Sequence, residues 1–321
     1  MRPRKILASF LAAAALMVVA AFGQTLNSDA TVLKVAGDAT VTVGGATSPL
    51  KVGAKLSPGA TITTGADSEV YLQAHTGTIA TVKANSVVSI DELSVTREGG
   101  KVTKEKTAIN LKSGNLVSAL DPAKRAVNDY QVKTPKGVAA ARGTTFTVSY
   151  NGVNYTIVAT SGSVQITAGD TVVNIAGGQA SVSNVNGGAA TAVASLPAEQ
   201  KAEAIQAMAV AVATIAVALE NNMLGASGAA ELQDAVRTVI TAAPEAARDV
   251  AALVAASAPS QTDVVVDTVR DVAPQQSGAV QQAIRDVDPP SRAPDSTPSQ
   301  TPRNDATTPQ PIEPGVISRS Q

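Results

Sequence analysis

The chain has 321 residues, a formal net charge of -1 and no cysteine. That length holds two modest domains and a tail, and the missing thiol rules out disulfides, thiolate zinc sites and lipid attachment to cysteine. Near-neutral charge, with no Lys/Arg run interleaved with aromatics, argues against nucleic acid as a partner. Aromatics make up only 2% of the chain, and beyond residue 23 all of them lie between Tyr71 and Tyr155. Aromatic rings bury large areas, so the best-filled core is expected there, with Ala, Val, Ile and Leu packing the rest.

Residues 1–23 begin with Arg2, Arg4 and Lys5, continue with an apolar stretch from Ile6 to Phe22, and end in Ala21-Phe22-Gly23. A basic start, an apolar middle and a small-residue end mark a secretory signal peptide, which implies a periplasmic or secreted protein. An uncleaved membrane anchor is the alternative, although the stretch is borderline in length for a span. No transmembrane segment is expected in the mature chain.

From about Thr31 to Ser183 short alternating runs follow one another, among them ATVTV, EVYLQA, TIATVKA, TTFTVSY and NYTIVAT. Gly-Asp, Gly-Gly, Asn-Gly and Ser-Gly pairs stand between them. This spacing predicts an all-β N-terminal domain over 24–190, a sandwich or a rolled, solenoid-like stack of short antiparallel strands. The charged, glycine-bearing run Arg97 to Lys106 reads as a solvated loop.

The most informative stretch is Asp129 to Tyr150. Thr134-Pro135-Lys136-Gly137 is predicted to turn the chain, with Pro135 holding Thr134 extended and Gly137 free to take a positive φ. Thr145, Thr147 and Ser149 then alternate with Phe146, Val148 and Tyr150, the period of a half-buried strand. Asn151-Gly152 predicts a hairpin through a type I′ turn. The pattern of Val132, Thr134, Pro135, Gly137, Arg142, Gly143, Thr144, Phe146 and Val148 resembles the signature of the FecR-like periplasmic domain. Leu56 to Gln73 and Tyr155 to Ile166 are similar to the opening and closing segments of that family, so the resemblance covers about residues 32–182. Thr134, Pro135, Gly137, Arg142, Gly143, Thr144 and Phe146 are read as structural members of the motif. The resemblance implies a β domain of transmembrane regulators that relay a receptor signal to a cytoplasmic sigma factor. Those regulators place a cytoplasmic helical segment and one membrane helix before the domain, and this chain departs from that plan. The relay activity is therefore not carried over.

Beyond Lys201 there are no lysines and no aromatics, a shift that predicts a separate Ala/Val-rich all-α region over 191–288. Leu196-Pro197-Ala198-Glu199 reads as a helix start, with the helix running to about Glu220 and its apolar centre, Ala207 to Leu219, buried. Pro244, Pro259, Pro274 and Pro289 then recur every 15 residues. Valines or isoleucine follow each in register: Val250, Val265 and Val280, then Val254, Val269 and Ile284. Each unit predicts a helix of about twelve residues, too short to stand alone, that buries its stripe by stacking. A loosely ordered tether is the other reading. From 289 to 321 the Pro/Ser/Thr-rich run predicts a disordered tail.

Chemistry is sparse. The single histidine, His75, has neither a cysteine nor a second histidine to join it at a metal, and reads as a strand-end residue. No Gly-x-Ser-x-Gly elbow, phosphate loop or calcium loop occurs. Neither a catalytic residue nor a metal or cofactor is expected. The chain reads as a non-catalytic protein-binding or signal-recognition module of the cell envelope, with an envelope protein or a cell-surface polymer as partner. The alternative is a structural or surface-attachment protein that self-associates weakly through its helical repeats.

Overall fold

The computed structural model describes residues 23–183 and 188–287; the predicted leader up to residue 22 and the predicted tail lie outside the described residues. Among these described residues, eighteen strands come first. They are β1 (Gln24–Asn27), β2 (Ala30–Ala36), β3 (Ala39–Val43), β4 (Ala46–Pro49), β5 (Lys55–Leu56) and β6 (Thr61–Thr64). Next come β7 (Glu69–His75), β8 (Thr78–Val82), β9 (Val87–Glu98), β10 (Lys101–Leu120), β11 (Asn128–Thr134) and β12 (Gly137–Ala141). The last are β13 (Thr145–Tyr150), β14 (Tyr155–Ala159), β15 (Ser163–Ala168), β16 (Thr171–Ala176), β17 (Gln179–Val182) and β18 (Thr191–Ala192).

Backbone ladders sort these strands into two sheets that share β10. The first runs β4-β3-β6-β9-β10-β11-β12-β15-β16, with β1 also on β9. The second runs β5-β2-β7-β8-β10-β13-β14-β17-β18. Two expectations are corrected here. The strands are not uniformly short and antiparallel: β10 has 20 residues, and it pairs with β11 in parallel. Nor is Arg97 to Lys106 a loop. It is a continuous hairpin of β9 and β10 around Gly99-Gly100, both at positive φ, because two such residues make the tight turn that a ladder needs.

The chain passes between sheets at corners, near Gly37, Gly65, Asn85, Gly114, Gly143, Gly162 and Gly178. Strands that switch sheets need a sharp bend. Gly114 shows why glycine serves: its φ is +93°, and a Cβ there would stand 2.2 Å from Ser86 Oγ and 2.5 Å from Ser86 Cα. Ser86 Oγ in turn accepts from Asn115 N at 2.9 Å. So Gly-Asp and Ser-Gly pairs that resemble hairpin turns are mostly bends within a crossing. Replacing Gly114 by alanine is expected to destabilise by about 2 kcal/mol or more, through left-handed strain and the clash with Ser86. An unchanged urea midpoint would remove the corner argument.

Two cores result. Between the sheets lie Ile62, Leu111, Leu116, Val132 and the edge-to-face pair Tyr130–Phe146, with ring centroids 6.1 Å apart. The second core covers the other face of the second sheet. There Tyr71, Ile79, Ala119, Val158 and Ala180 pack with Met208, Val212 and Ile215 of the first helix, α1 (Ala198–Glu220). Every residue of β8 and β14 is therefore buried, as in sheets covered on both sides. A half-buried strand leaves one face open, and in β13 that face would carry the threonines. Instead Thr145 and Thr147 are buried beneath helices, and Thr147 Oγ1 donates to the Ala207 carbonyl at 3.4 Å.

Helix α1 starts and stops as its sequence predicts, and its centre is apolar on nearly every face because nearly every face there is packed. By length and composition it is sufficient to cross a membrane, but 61% of that stretch is buried inside the protein. It is followed by α2 (Gly228–Ala242), α3 (Ala247–Ser257), α4 (Thr262–Val272) and α5 (Ser277–Val287). Pro244, Pro259 and Pro274 each open a 3-10 turn before α3, α4 and α5. The residue ahead of each is an alanine held out of the helical region, with φ of -151°, -148° and -142°, because a following proline excludes it. Val250, Val254, Val265, Val269 and Val280 are buried. Helix α3 lies against α1 and α5, and α4 against α2. The repeats thus bury their stripe by stacking.

Candidate functional site

The motif converges on one corner. Thr134 Oγ1 donates to the Gly137 carbonyl at 3.1 Å and accepts from Lys136 N at 3.3 Å, closing the β11–β12 hairpin over Pro135 and Lys136. Gly137 is needed for close approach rather than for positive φ: a Cβ there would stand 2.7 Å from the Thr167 carbonyl oxygen of β15. Gly143 bends the chain from the first sheet to the second at φ +62°, with Pro122 Cα 2.7 Å from where its Cβ would be. Thr144 Oγ1 donates to the Ser163 carbonyl at 2.9 Å and accepts from Ser163 N at 3.3 Å, joining this corner to the next. Phe146 fills the inter-sheet core. The Asn151-Gly152 hairpin exists, but not as a type I′ turn. Residues 151–154 form a four-residue loop in which Asn151 Oδ1 accepts from the N–H groups of Val153 and Asn154. The asparagine caps its own loop, which leaves only glycine at positive φ.

Arg142 is the exception in the motif. Its side chain is exposed, and it forms no ion pair with another described residue. It borders a groove of about 610 Å3 with Arg125, Asp129, Gln131, Gln165 and Asn174. Asp129 is already matched by Lys104, 2.8 Å away, so the two arginines leave the groove positive. The floor is a single cross-strand row: Gln131 pairs with Ala140, Ala140 with Gln165, and Gln165 with Asn174. Ala140, the small member, makes the row concave.

A larger groove of about 820 Å3 includes Asn85, Asn115, Asn151 and Asn154 in its lining. Asn85 makes a corner at positive φ and Asn151 caps its loop, so the fold accounts for two of its polar residues, and none of the family-motif residues lines it. The Arg142 groove is the better candidate, because its arginines have no such explanation.

His75 ends β7 as expected and is buried, with Nε2 3.2 Å from the Lys106 carbonyl. Burial lowers its pKa. Among the described residues there is no group of three or more His, Asp or Glu that could hold a metal ion. One buried acid carries no signal in the sequence. Glu231, in the first turn of α2, takes a 2.6 Å hydrogen bond from Thr145 Oγ1, while its Oε2 is buried without a partner. Ser227 Oγ, at the cap of the same helix, donates to Asp121 Oδ1 at 2.5 Å. The helix N-terminus favours the anion by about 0.3–1 kcal/mol, but desolvation of an ion costs several kcal/mol. Burial therefore dominates; the Thr145 hydrogen bond offsets it in part, the charges of Asp121 and Asp234 add to it, and the Glu231 carboxyl is pushed up to about 7.

Two crystal structures of a putative anti-sigma factor from Parabacteroides distasonis ATCC 8503 are similar to this chain at 14% and 13% identity, each with a TM-score of 0.32. Each match covers 41% of this chain and 57% of the solved one, so the likeness spans little more than half of those proteins. No curated protein matches the chain. Residues 60–165 match the family model described as FecR protein. That interval contains every motif residue from Thr134 to Phe146 and the corner they build, and the chain carries a FecR-like domain.

Proposed function

We propose that the chain is a non-catalytic, signal-regulating binding module of the cell envelope, and that it engages its ligand in the groove beside Arg142. One observation supports this above the rest. Six of the seven motif residues have evident structural tasks in turn, corner or core, and Arg142 projects into solvent without one. Exposed polar residues set on a rigid scaffold are where recognition is usually carried. The basic, apolar-centred leader supports an envelope location.

Photo-crosslinking in intact cells tests the reading. A crosslinker at Gln165, on the groove floor, is expected to give a discrete adduct, while one at Thr42, on β3, is expected to give none. Equal labelling from both positions, or none from Gln165, would count against a recognition surface here.

A further inference from the structure

The groove has a shape and a chemistry that narrow its ligand, an inference that rests on the binding-module reading above. Its floor crosses β11, β12, β15 and β16 at right angles to the strands. Neighbouring strands lie roughly 4.8 Å apart, so the row from Gln131 to Asn174 spans about 14 Å. A ligand lying along it faces side chains on the sheet surface and cannot extend the backbone ladder, so strand addition is excluded. The floor offers three primary amides, each both donor and acceptor, which suit hydroxyl groups. Beside the row, where β12 reaches the corner, Arg125 and Arg142 line the same groove, and their guanidinium forks suit carboxylate or phosphate. Arg125 lies at the same corner, its Nε 3.4 Å from where a Cβ would be on Gly143, the next residue after Arg142. Neither forms an ion pair with another described residue, and Asp129 is taken by Lys104. No aromatic or large aliphatic side chain is exposed on the floor, and protein partners usually need such anchors.

We infer that this groove binds an acidic polysaccharide, with its hydroxyls along Gln131, Gln165 and Asn174 and an acidic group held by Arg125 and Arg142. Without a stacking ring each contact is weak, so binding to a long polymer gains from many copies of the same unit.

Titration of the full chain with defined oligomers tests the assignment. An oligogalacturonate is expected to bind, and a neutral gluco-oligosaccharide of the same length at least tenfold more weakly. Arg142→Ala is expected to weaken oligogalacturonate binding at least tenfold, as is 0.5 M salt, while Gln165→Ala should reduce binding of both sugars. A phosphorylated oligosaccharide used in parallel shows whether carboxylate or phosphate is the preferred acid. Oligoglutamate of equal charge binding as tightly as the uronate would overturn the inference in favour of an acidic protein segment. Undiminished uronate binding by Arg142→Ala would overturn it as well. A protein adduct from Gln165 in cells, with no uronate binding, would remove the polysaccharide while leaving the binding-module reading intact. Far-ultraviolet circular dichroism of each variant confirms that the sheets are unchanged.

Discussion

Val212→Asp in α1 is expected to destabilise the protein by more than about 4 kcal/mol, because it buries a charge with no partner. Val212 is fully buried where α1 meets the rest of the second core. Whole-domain stabilities are about 5–15 kcal/mol, so the loss is a large share of the total. The helical array and the second sheet share that core, so helix and strand signals should fall together in urea. Gln206→Asp, six residues earlier and exposed, should stay within about 0.5 kcal/mol of the parent. If Val212→Asp unfolds at the parent's urea concentration, α1 is not packed as described. Removing 197–321 altogether should leave the inter-sheet core of Tyr130, Phe146 and Leu116 in place. It would, however, bare Ile79, Val158 and Ala180, and the truncated chain should bind a hydrophobic dye that the full chain does not.

The second large effect is a dependence on pH set by Glu231. Its carboxyl is raised from the ordinary 4.5 to about 7 in the folded protein. Between those values the unfolded chain has released the proton and the folded one still holds it. The contribution of this carboxyl to stability is therefore full below pH 4.5, falls as pH rises towards 7, and then levels off, a total of roughly 3 kcal/mol. His75 acts in the opposite sense. Its folded pKa lies below 6.5, so the unfolded chain takes up a proton first, and its contribution is lost as pH falls through 6.5 and below. Comparing the parent with Glu231→Gln isolates the carboxyl. The difference in denaturation free energy should grow from pH 4.5 to 7 in favour of the glutamine variant. Parallel pH profiles for the two proteins would show that Glu231 does not titrate in this range.

Local chemistry made much of this chain legible. Proline every 15 residues places the starts of α3, α4 and α5, because a proline excludes helix from the residue before it and fits the first turn of the residues after it. Thr134 to Gly137 announces its hairpin for similar reasons, and the crowded apolar centre of α1 announces burial. The corners were harder. Gly114 lies inside a 20-residue strand, and nothing near it in sequence shows that Ser86 blocks any side chain there. The polar face of β13 was legible as a face but not as a covered one.

The residues alone determined which positions lie on the same side of a strand, where helices begin, and which stretches have apolar stripes to bury. Those are properties of neighbours along the chain, set by backbone geometry and side-chain size. Tertiary structure decided what lies over each face. A threonine hydroxyl suits solvent or burial equally once it finds an acceptor, and Thr145 finds Glu231, 86 residues away. The same holds for the groove. Gln131, Ala140, Gln165 and Asn174 are scattered in sequence, and only the pairing of four strands lines them up beside Arg142.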